Sequence, residues 1–282
     1  MSAASSLERQ HSQTLVIRPP SGFSSLGIKD LWRFRELLFF LTWRDIKIRY
    51  KQTLLGAAWA ILQPFLTMIV FTVVINKIGK VQTPIPYPLF ALSTLALWYY
   101  FSNSVNLTSA SLVGSSALIT KVYFPRISVV LSPILASLVD FFLAFCLVLG
   151  TMAYYGFAPP LHALLVPLFV VLAGAMALGL GLVLSALNVS YRDIRYAVPF
   201  VLQLWLFATP VAYPGSVVPE KYKLLYTVNP MTGVVEGYRW ALLGTDHVRP
   251  LHLAISIGTA LVLLVGGALY FSRAERAFAD VI

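Results

Sequence analysis

The chain has 282 residues, of which 58% are hydrophobic and only 11% are charged. This balance excludes an ordinary soluble globular domain and is typical of a protein that crosses a membrane. The formal net charge of +10 implies no nucleic-acid partner, because cationic loops beside a membrane account for it.

The N-terminal segment, residues 1–28, is polar and is predicted to be disordered on the cytosolic side. It lacks the apolar core of a cleaved signal peptide, so the first apolar run is expected to be an uncleaved membrane anchor.

Residues 29–51 are predicted to form an amphipathic helix in the headgroup layer of the membrane. On a helical projection, cations form one narrow stripe and large apolar residues form a neighbouring one. The first stripe holds Arg33, Arg44, Lys47 and Lys51, and the second holds Trp32, Phe39, Trp43, Ile46 and Tyr50. Because Phe40 and Asp45 break this pattern, a bend is expected near Thr42.

The remaining residues, 52–282, are predicted to form an all-α membrane domain with six transmembrane helices. A helix needs about 20 mostly apolar residues to cross the hydrocarbon layer, where it satisfies its backbone hydrogen bonds internally. The spans are expected near residues 54–76, 88–107, 128–153, 163–187, 196–213 and 252–271. Gly156, Pro159 and Pro160 are expected to separate the third span from the fourth.

The distribution of Lys and Arg predicts that both termini are cytosolic. If the N-terminus is inside, fifteen of these residues fall on the cytosolic side and six fall outside. Lys and Arg in short loops resist translocation, so this orientation is favoured.

Asp140 is the single carboxylate expected at depth within a span. Two interpretations are open: it relays a proton or cation, or it hydrogen-bonds to Ser or Thr on a neighbouring span and fixes helix packing. The second is favoured, since a proton-coupled transporter ordinarily has several such groups. Cys146 is the only cysteine, which excludes an intrachain disulfide.

The fourth span is rich in small residues, which let another helix approach closely. Its glycines are Gly174, Gly179 and Gly181. Close helix packing is therefore predicted along this span.

Aromatic residues inside the first and fifth spans suggest a substrate path. Flat aromatic faces suit sugar rings, although core or lipid packing is the commoner role of any one aromatic residue. The amides of Gln63 and Gln203 can bond to sugar hydroxyls or, equally well, to a neighbouring helix. The candidate path residues are Trp59, Gln63, Phe65, Phe71, Phe200, Gln203, Trp205, Phe207 and Tyr213.

The outer segment, residues 214–244, is too apolar for a solvated loop and is interrupted by Pro and Gly. It is predicted to form two short re-entrant helices that dip back into the membrane, where protein or a wet cavity must cover the broken backbone. Glu236 and Arg239 are spaced to pair at i and i+3.

The sequence contains no phosphate-binding loop, no H-E-x-x-H motif and no cysteine pair. No catalytic residue, metal site or bound cofactor is therefore predicted in this chain. A transport function would take its energy from another subunit.

Four blocks of the sequence resemble the inner-membrane permease of ABC-type polysaccharide exporters, which move O-antigen, capsule or teichoic acid chains. The blocks are WRDIKIRYKQTLLGAAWAILQPFLTMIVFTVVI, ITKVYFPR, LNVSYRDIRYAVPFVLQLWLFATPVAYP and NPMTGVVEGYRWALLG. Each block alone is weak, whereas the set is specific because it is spread over most of the chain.

The resemblance implies a homodimer in the bacterial inner membrane that exports a lipid-linked polysaccharide. A separate ATP-binding cassette ATPase dimer would bind ATP and Mg²⁺ on the cytosolic side. The resemblance places ATPase coupling segments at 112–126 and 188–195 and an outer gate at 214–244. It also suggests that basic residues at the end of the interface helix contact lipid pyrophosphate or headgroups, although the orientation rule alone explains these cations better.

These implied roles fall on specific side chains. The coupling residues are Lys121, Tyr123, Arg126, Tyr191, Arg192 and Asp193; the gate residues are Pro214, Pro230, Glu236 and Arg239; the phosphate or headgroup contacts are Arg44, Lys47, Arg49 and Lys51.

Other functions are also compatible with the sequence. An ABC permease for teichoic acid, a simple lipid or a drug is one alternative, and an intramembrane transferase that uses Asp140 and His162 is a second. A structural membrane scaffold is a third. Aromatic density and the four blocks favour the polysaccharide exporter.

Overall fold

The computed structural model describes residues 28–51, 56–122, 124–245 and 248–275, with side-chain surroundings from residue 31 onward. Within these ranges the chain is helical and has no strand. The α-helices are α1 (Ile28–Arg33), α2 (Arg35–Lys51), α3 (Ala58–Phe71), α4 (Tyr87–Gly114), α5 (Ser116–Ile119), α6 (Ile127–Tyr154), α7 (Val166–Ser190), α8 (Ile194–Ala208), α9 (Lys223–Val228), α10 (Pro230–Leu243) and α11 (Pro250–Ala274). The disorder predicted for the N-terminus falls on residues 1–27, which lie outside the described ranges, and on Ile28.

Four helical segments are long and apolar enough to cross a membrane, among the described residues. They are Ala58–Ile78, in which α3 continues as a π-helical turn, Ile127–Tyr154, Leu161–Ser190, whose first turn is a 3-10 helix, and Pro250–Ala274. α8 is apolar but only 15 residues long. It ends at Ala208, five residues before the predicted end of the fifth span, because Pro210 follows and the chain turns there.

α4 occupies the centre of the bundle and packs against α3, α6, α7, α8 and α10. Its predicted span ends near residue 107, and the helix continues to Gly114. Its hydroxyl-bearing residues there are buried or half-buried and bond to main-chain carbonyls, as Ser109 does to Asn106 at 2.6 Å and Ser111 to Thr108 at 2.8 Å. A helix enclosed by other helices needs fewer apolar residues than one that faces lipid, which explains its moderate hydropathy.

The long helices run between two ends of the bundle. At one end, Leu41 of α2 packs with Leu112, Phe124 and Phe271 in a small apolar cluster. Arg126 at the start of α6 also donates to the main-chain oxygen of Glu275 at 2.6 Å. The first and the last described segments therefore lie at the same end.

The glycines of α7 allow close helix crossings, as predicted. A Cβ on Gly179 would lie 2.6 Å from the main-chain carbon of Leu263 in α11, and a Cβ on Gly267 would lie 2.5 Å from the oxygen of Gly179. Gly174 and Gly181 face α4 at similarly short range. The close-packing prediction is confirmed.

The interface helix differs from its prediction in two respects. It breaks at Phe34, between α1 and α2, whereas Thr42 lies within continuous helix and donates to the oxygen of Leu38 at 2.8 Å. α2 also packs along α6, where the hydroxyl of Ser132 donates to Asp45 at 2.7 Å. Contact with α6 buries part of the surface that was predicted to face headgroups.

α10 is a buried helix whose ends are set by its own sequence. Asn229 precedes it, and the side-chain oxygen of Asn229 accepts from the main-chain N–H of Met231 at 3.0 Å, while Pro230 occupies the first turn. Gly244 ends the helix with a left-handed φ of 68°. Residues 231–239 are all buried against α4, α7 and α11.

Candidate functional site

α3 and α8 both pack on α4 and leave broad faces uncovered within one chain. Side chains on these faces include large aromatic residues: Trp59 is 49% exposed and Phe200 is 63% exposed. The two helices meet where the rings of Phe71 and Phe207 lie 6.3 Å apart between centroids. Six of the predicted path residues are exposed on these helices: Trp59, Gln63, Phe65, Phe200, Gln203 and Phe207.

The remaining predicted path residues have structural partners. Phe71 is buried, and Tyr213 is half-buried with its hydroxyl donating to the oxygen of Phe207 at 3.0 Å. The indole N–H of Trp205 donates to the side-chain oxygen of Asn229 at 2.9 Å, and its ring lies edge-on to Phe101. For Phe71 and Trp205 the packing interpretation is therefore the correct one.

Asp140 forms a cluster with the end of α2. Its two carboxylate oxygens accept from Arg49 and from the hydroxyl of Tyr50. Asp140 lies thirteen residues after Ile127, about 20 Å along α6. The predicted Ser or Thr partner on a neighbouring span is wrong, since both partners lie on the interface helix, 91 and 90 residues away in sequence.

Burial sets the electrostatics of this cluster. Burial lowers the pKa of the Arg49 guanidinium, opposed by its neighbours Tyr50 and Asp45, and burial raises the pKa of the Tyr50 phenol. The phenol therefore keeps its proton and donates it in the hydrogen bond. Arg49, predicted to contact phosphate or headgroups, donates to the Asp140 carboxylate in the structure.

The other basic residues of α2 remain nearer the surface. Arg44 pairs with Asp45 at 2.8 Å and reaches the hydroxyl of Ser115 at 3.5 Å. Lys47 and Lys51 are exposed. These three cations keep the surface position that contact with a phosphate requires.

The predicted coupling segments lie at the end of the bundle that holds α2. Lys121, Tyr191, Arg192 and Asp193 are exposed there, whereas Tyr123 lies outside the described residues. Arg126 instead faces Glu275, whose carboxylate lies 3.7 Å away. Burial raises the pKa of Glu275, and the charge of Arg126 partly offsets this.

The predicted gate segment is organised by Glu236 of α10. Its carboxylate accepts from the hydroxyl of Tyr226 at 2.5 Å and lies 2.7 Å from Nδ1 of His252 in α11. Thr227 lies 3.3 Å from the other ring nitrogen of His252. Burial and the neighbouring carboxylate raise the pKa of Tyr226, so its phenol stays protonated.

Arg239 and the two gate prolines have separate roles. Arg239 is fully buried, lies 3.8 Å above the ring of Phe90 and donates to the oxygen of Pro210 at 2.5 Å. The side-chain partners of Glu236 are Tyr226 and His252, so the predicted i, i+3 partner is wrong for that carboxylate. Pro214 is buried, and Pro230 is half-buried in the first turn of α10.

Sequence reasoning missed several of these residues. His252 is not among the predicted site residues, although its position two residues after Pro250 places it in the first turn of a helix. Asn103 and Asn106 are a further omission: two amides spaced at i, i+3 inside an apolar helix are a signal in themselves.

Sequence comparisons agree with this arrangement. A family model described as ABC-2 type transporter matches residues 36–243. The chain is 31% identical to an O-antigen export system permease protein, RfbA, of Myxococcus xanthus, over 90% of this chain and 98% of the relative. It is 26% identical to RfbA of Klebsiella pneumoniae, over 88% and 95%. It is 24% identical to the polysialic acid transport protein KpsM of Escherichia coli, over 85% and 93%.

Proposed function

Because this chain belongs to the ABC-2 type transporter family, we propose that it is the permease of an exporter that moves a lipid-linked polysaccharide out of the bacterial cytosol. It is a multi-pass membrane protein and a transport subunit, not an enzyme. Relatives named for O-antigen export match at higher identity than the one named for polysialic acid transport, which favours an O-antigen-like polymer.

The observation that carries the proposal is the uncovered aromatic and amide surface of α3 and α8. A polymer in transit needs many weak contacts, because one tight site would stall movement. Exposed Trp59 and Phe200 offer flat faces to sugar rings, and Gln63 and Gln203 offer hydrogen bonds to hydroxyls.

A second copy of the chain completes the path. α3 and α8 each leave one side uncovered, so two copies facing each other would enclose a passage between them. The proposed homodimer crosses the inner membrane six times per subunit, with both termini cytosolic. α10 would then dip into the membrane from the outer face, and the segment 214–244 would gate the exit.

Energy would come from a separate ATPase dimer that binds ATP and Mg²⁺, since this sequence has no phosphate-binding loop. The ATPase would contact residues 112–126 and 188–195. Leu112 and Phe124 belong to the same apolar cluster as Leu41 of α2, so displacement of the first segment would reach the interface helix. Lys47 and Lys51, with Arg44, would attract the lipid pyrophosphate.

Deletion of the gene for this chain tests the proposal. We expect the polysaccharide to disappear from the cell surface and to accumulate in the cytosol, with recovery when the wild-type chain is supplied. Replacement of the Walker lysine in the partner ATPase should give the same result. Normal surface polysaccharide in the deletion strain would contradict the proposed function.

A further inference from the structure

A cavity of about 340 Å³ lies between α2, α3, α4 and α6, at the level of Asp140. It is lined by residues of one chain, none of them from α8, and it shares Trp59 and Gln63 with the uncovered face of α3. Its volume falls at the lower end of the range for small-molecule sites in proteins, roughly 300 to 1,000 Å³. A cavity of this size suits one or two sugar units and excludes a folded stretch of polymer.

One wall of the cavity is the ion pair of Arg49 and Asp140, with Tyr50 as a second donor to the carboxylate. The pair has no net charge. Among the described residues, only Nη1 of Arg49 has a hydrogen-bond partner, so other guanidinium N–H groups are available to a ligand. A second anion here would compete with Asp140 and leave that buried carboxylate unpaired, which is costly.

Three amides line the cavity: Gln63 on α3 and both Asn103 and Asn106 on α4. None of their side chains hydrogen-bonds to another described residue, whereas most hydroxyl groups on the same helices bond to main-chain oxygens. Each amide offers two N–H donors and one oxygen acceptor. Amide groups within a mostly apolar bundle are costly unless a ligand or water satisfies them.

Aromatic rings complete the lining. Trp59 comes from α3, Tyr99 and Tyr100 from α4, and Phe141 from α6. The hydroxyl of Tyr99 is held by Thr67 at 2.7 Å, and the rings of Tyr100 and Phe141 lie 5.8 Å apart. Three of these rings are thus held in place by neighbours before any ligand enters, which reduces the entropy lost on binding.

We propose that this cavity binds one uncharged sugar unit of the transported polymer. The inference rests on the proposed function and assigns one of the many weak sugar contacts to this cavity. Three amides without a hydrogen-bond partner among the described residues, a charge-neutral ion pair with spare donors and several aromatic rings match the hydroxyls and C–H faces of a sugar. A phosphate or pyrophosphate group is disfavoured because Asp140 already neutralises Arg49.

The test uses the purified full-length chain in lipid nanodiscs and saturation-transfer NMR. The probes are methyl glycosides of glucose, galactose, mannose, rhamnose, N-acetylglucosamine and N-acetylgalactosamine, each at millimolar concentration. Inorganic pyrophosphate and glycerol phosphate are measured in parallel as phosphate and lipid-headgroup probes. The variants are Asn103→Leu, Asn106→Leu and their combination, with Gln82→Leu as the matched control, because Gln82 is an exposed amide outside the cavity.

We expect at least one glycoside to bind the wild-type chain and the Gln82→Leu variant equally. Each Asn→Leu change should weaken that binding several-fold, and the combination about tenfold or more, through lost hydrogen bonds. Thermal unfolding checks that each variant is folded, and the single variants carry the test if the combination is not.

The absence of binding by every glycoside, equal binding by the cavity variants and the control, or binding by the phosphate probes alone would each overturn the proposal. These outcomes are independent of the deletion experiment. If deletion abolishes surface polysaccharide while no glycoside binds, the cavity assignment fails and the exporter assignment stands.

Discussion

Nδ1 of His252 lies 2.7 Å from Oε2 of Glu236, and both side chains are almost fully buried. This contact ties the first turn of α11 to the middle of α10. Tyr226, just before α10, donates to the other carboxylate oxygen. One carboxylate thus holds three segments of the proposed outer gate together.

Replacement of Glu236 by Ala should destabilise the protein, because it leaves the donors of Tyr226 and His252 unpaired in a buried site. We expect a loss of about 1 to 3 kcal/mol for each donor left without a partner. Unfolding of the purified protein in detergent, followed by circular dichroism, measures this. Glu220→Ala is the control, since Glu220 is exposed and its pair with Lys223 is expected to contribute little.

Glu236→Ala and His252→Ala should also be non-additive. Once one partner is gone, removal of the other costs less, so the double variant should be more stable than the sum of the single effects predicts. Simple additivity would show that the two side chains do not interact energetically.

Two adjacent glycines of α11, Gly266 and Gly267, test the close crossing of α7 and α11. Gly267→Ala should lower stability, because its Cβ would lie 2.5 Å from the oxygen of Gly179. Gly266→Ala should be neutral or slightly stabilising, since its Cβ would meet nothing within 4 Å and Ala is the better helix former. The expected penalty for Gly267→Ala is about 1 to 3 kcal/mol. Equal effects at both positions, measured by thermal unfolding, would contradict the observed crossing.

Substitutions of Trp205 and Phe200 in α8 should have different effects: the first should lower stability, and the second should reduce transport. Trp205→Phe removes the donor to Asn229. It should lower the free energy of unfolding by about 1 kcal/mol, the contribution of one hydrogen bond, and the unfolding temperature should fall accordingly. Phe200→Ala changes an exposed ring and should reduce export with little change in stability. Surface polysaccharide and unfolding temperature are measured for both. If Phe200→Ala lowered the unfolding temperature and left surface polysaccharide unchanged, Phe200 would not be part of the substrate path.

The cations of α2 should fall into two classes. Arg44, Lys47 and Lys51 replaced together by Gln should reduce export while protein level and stability persist, since these side chains lie near the surface. Arg49→Gln should lower protein level, because it leaves Asp140 without its cation, at a cost of about 3 to 5 kcal/mol. Immunoblots and surface-polymer assays distinguish the two. Normal export by the triple variant would exclude a phosphate-binding role for these three residues.

Several features were predictable because their causes are local. The break at Gly156, Pro159 and Pro160, the small-residue face of α7 and the long apolar segments each depend on residue types within one stretch of chain. The uncovered faces of α3 and α8 were also indicated by their aromatic residues, although two of the proposed path residues, Phe71 and Trp205, are turned inward.

By itself, the sequence determined that the chain is an all-helical membrane protein, where most helices begin and end, and that it lacks a nucleotide-binding loop. Only the tertiary structure decided which polar groups meet. Asp140 pairs with Arg49 across 91 residues, Trp205 reaches Asn229 across 24, and Glu236 reaches His252 across 16. Helix formation follows from short-range propensity and hydropathy, whereas a buried polar group takes whichever partner the packing of several helices brings within 3 Å of it.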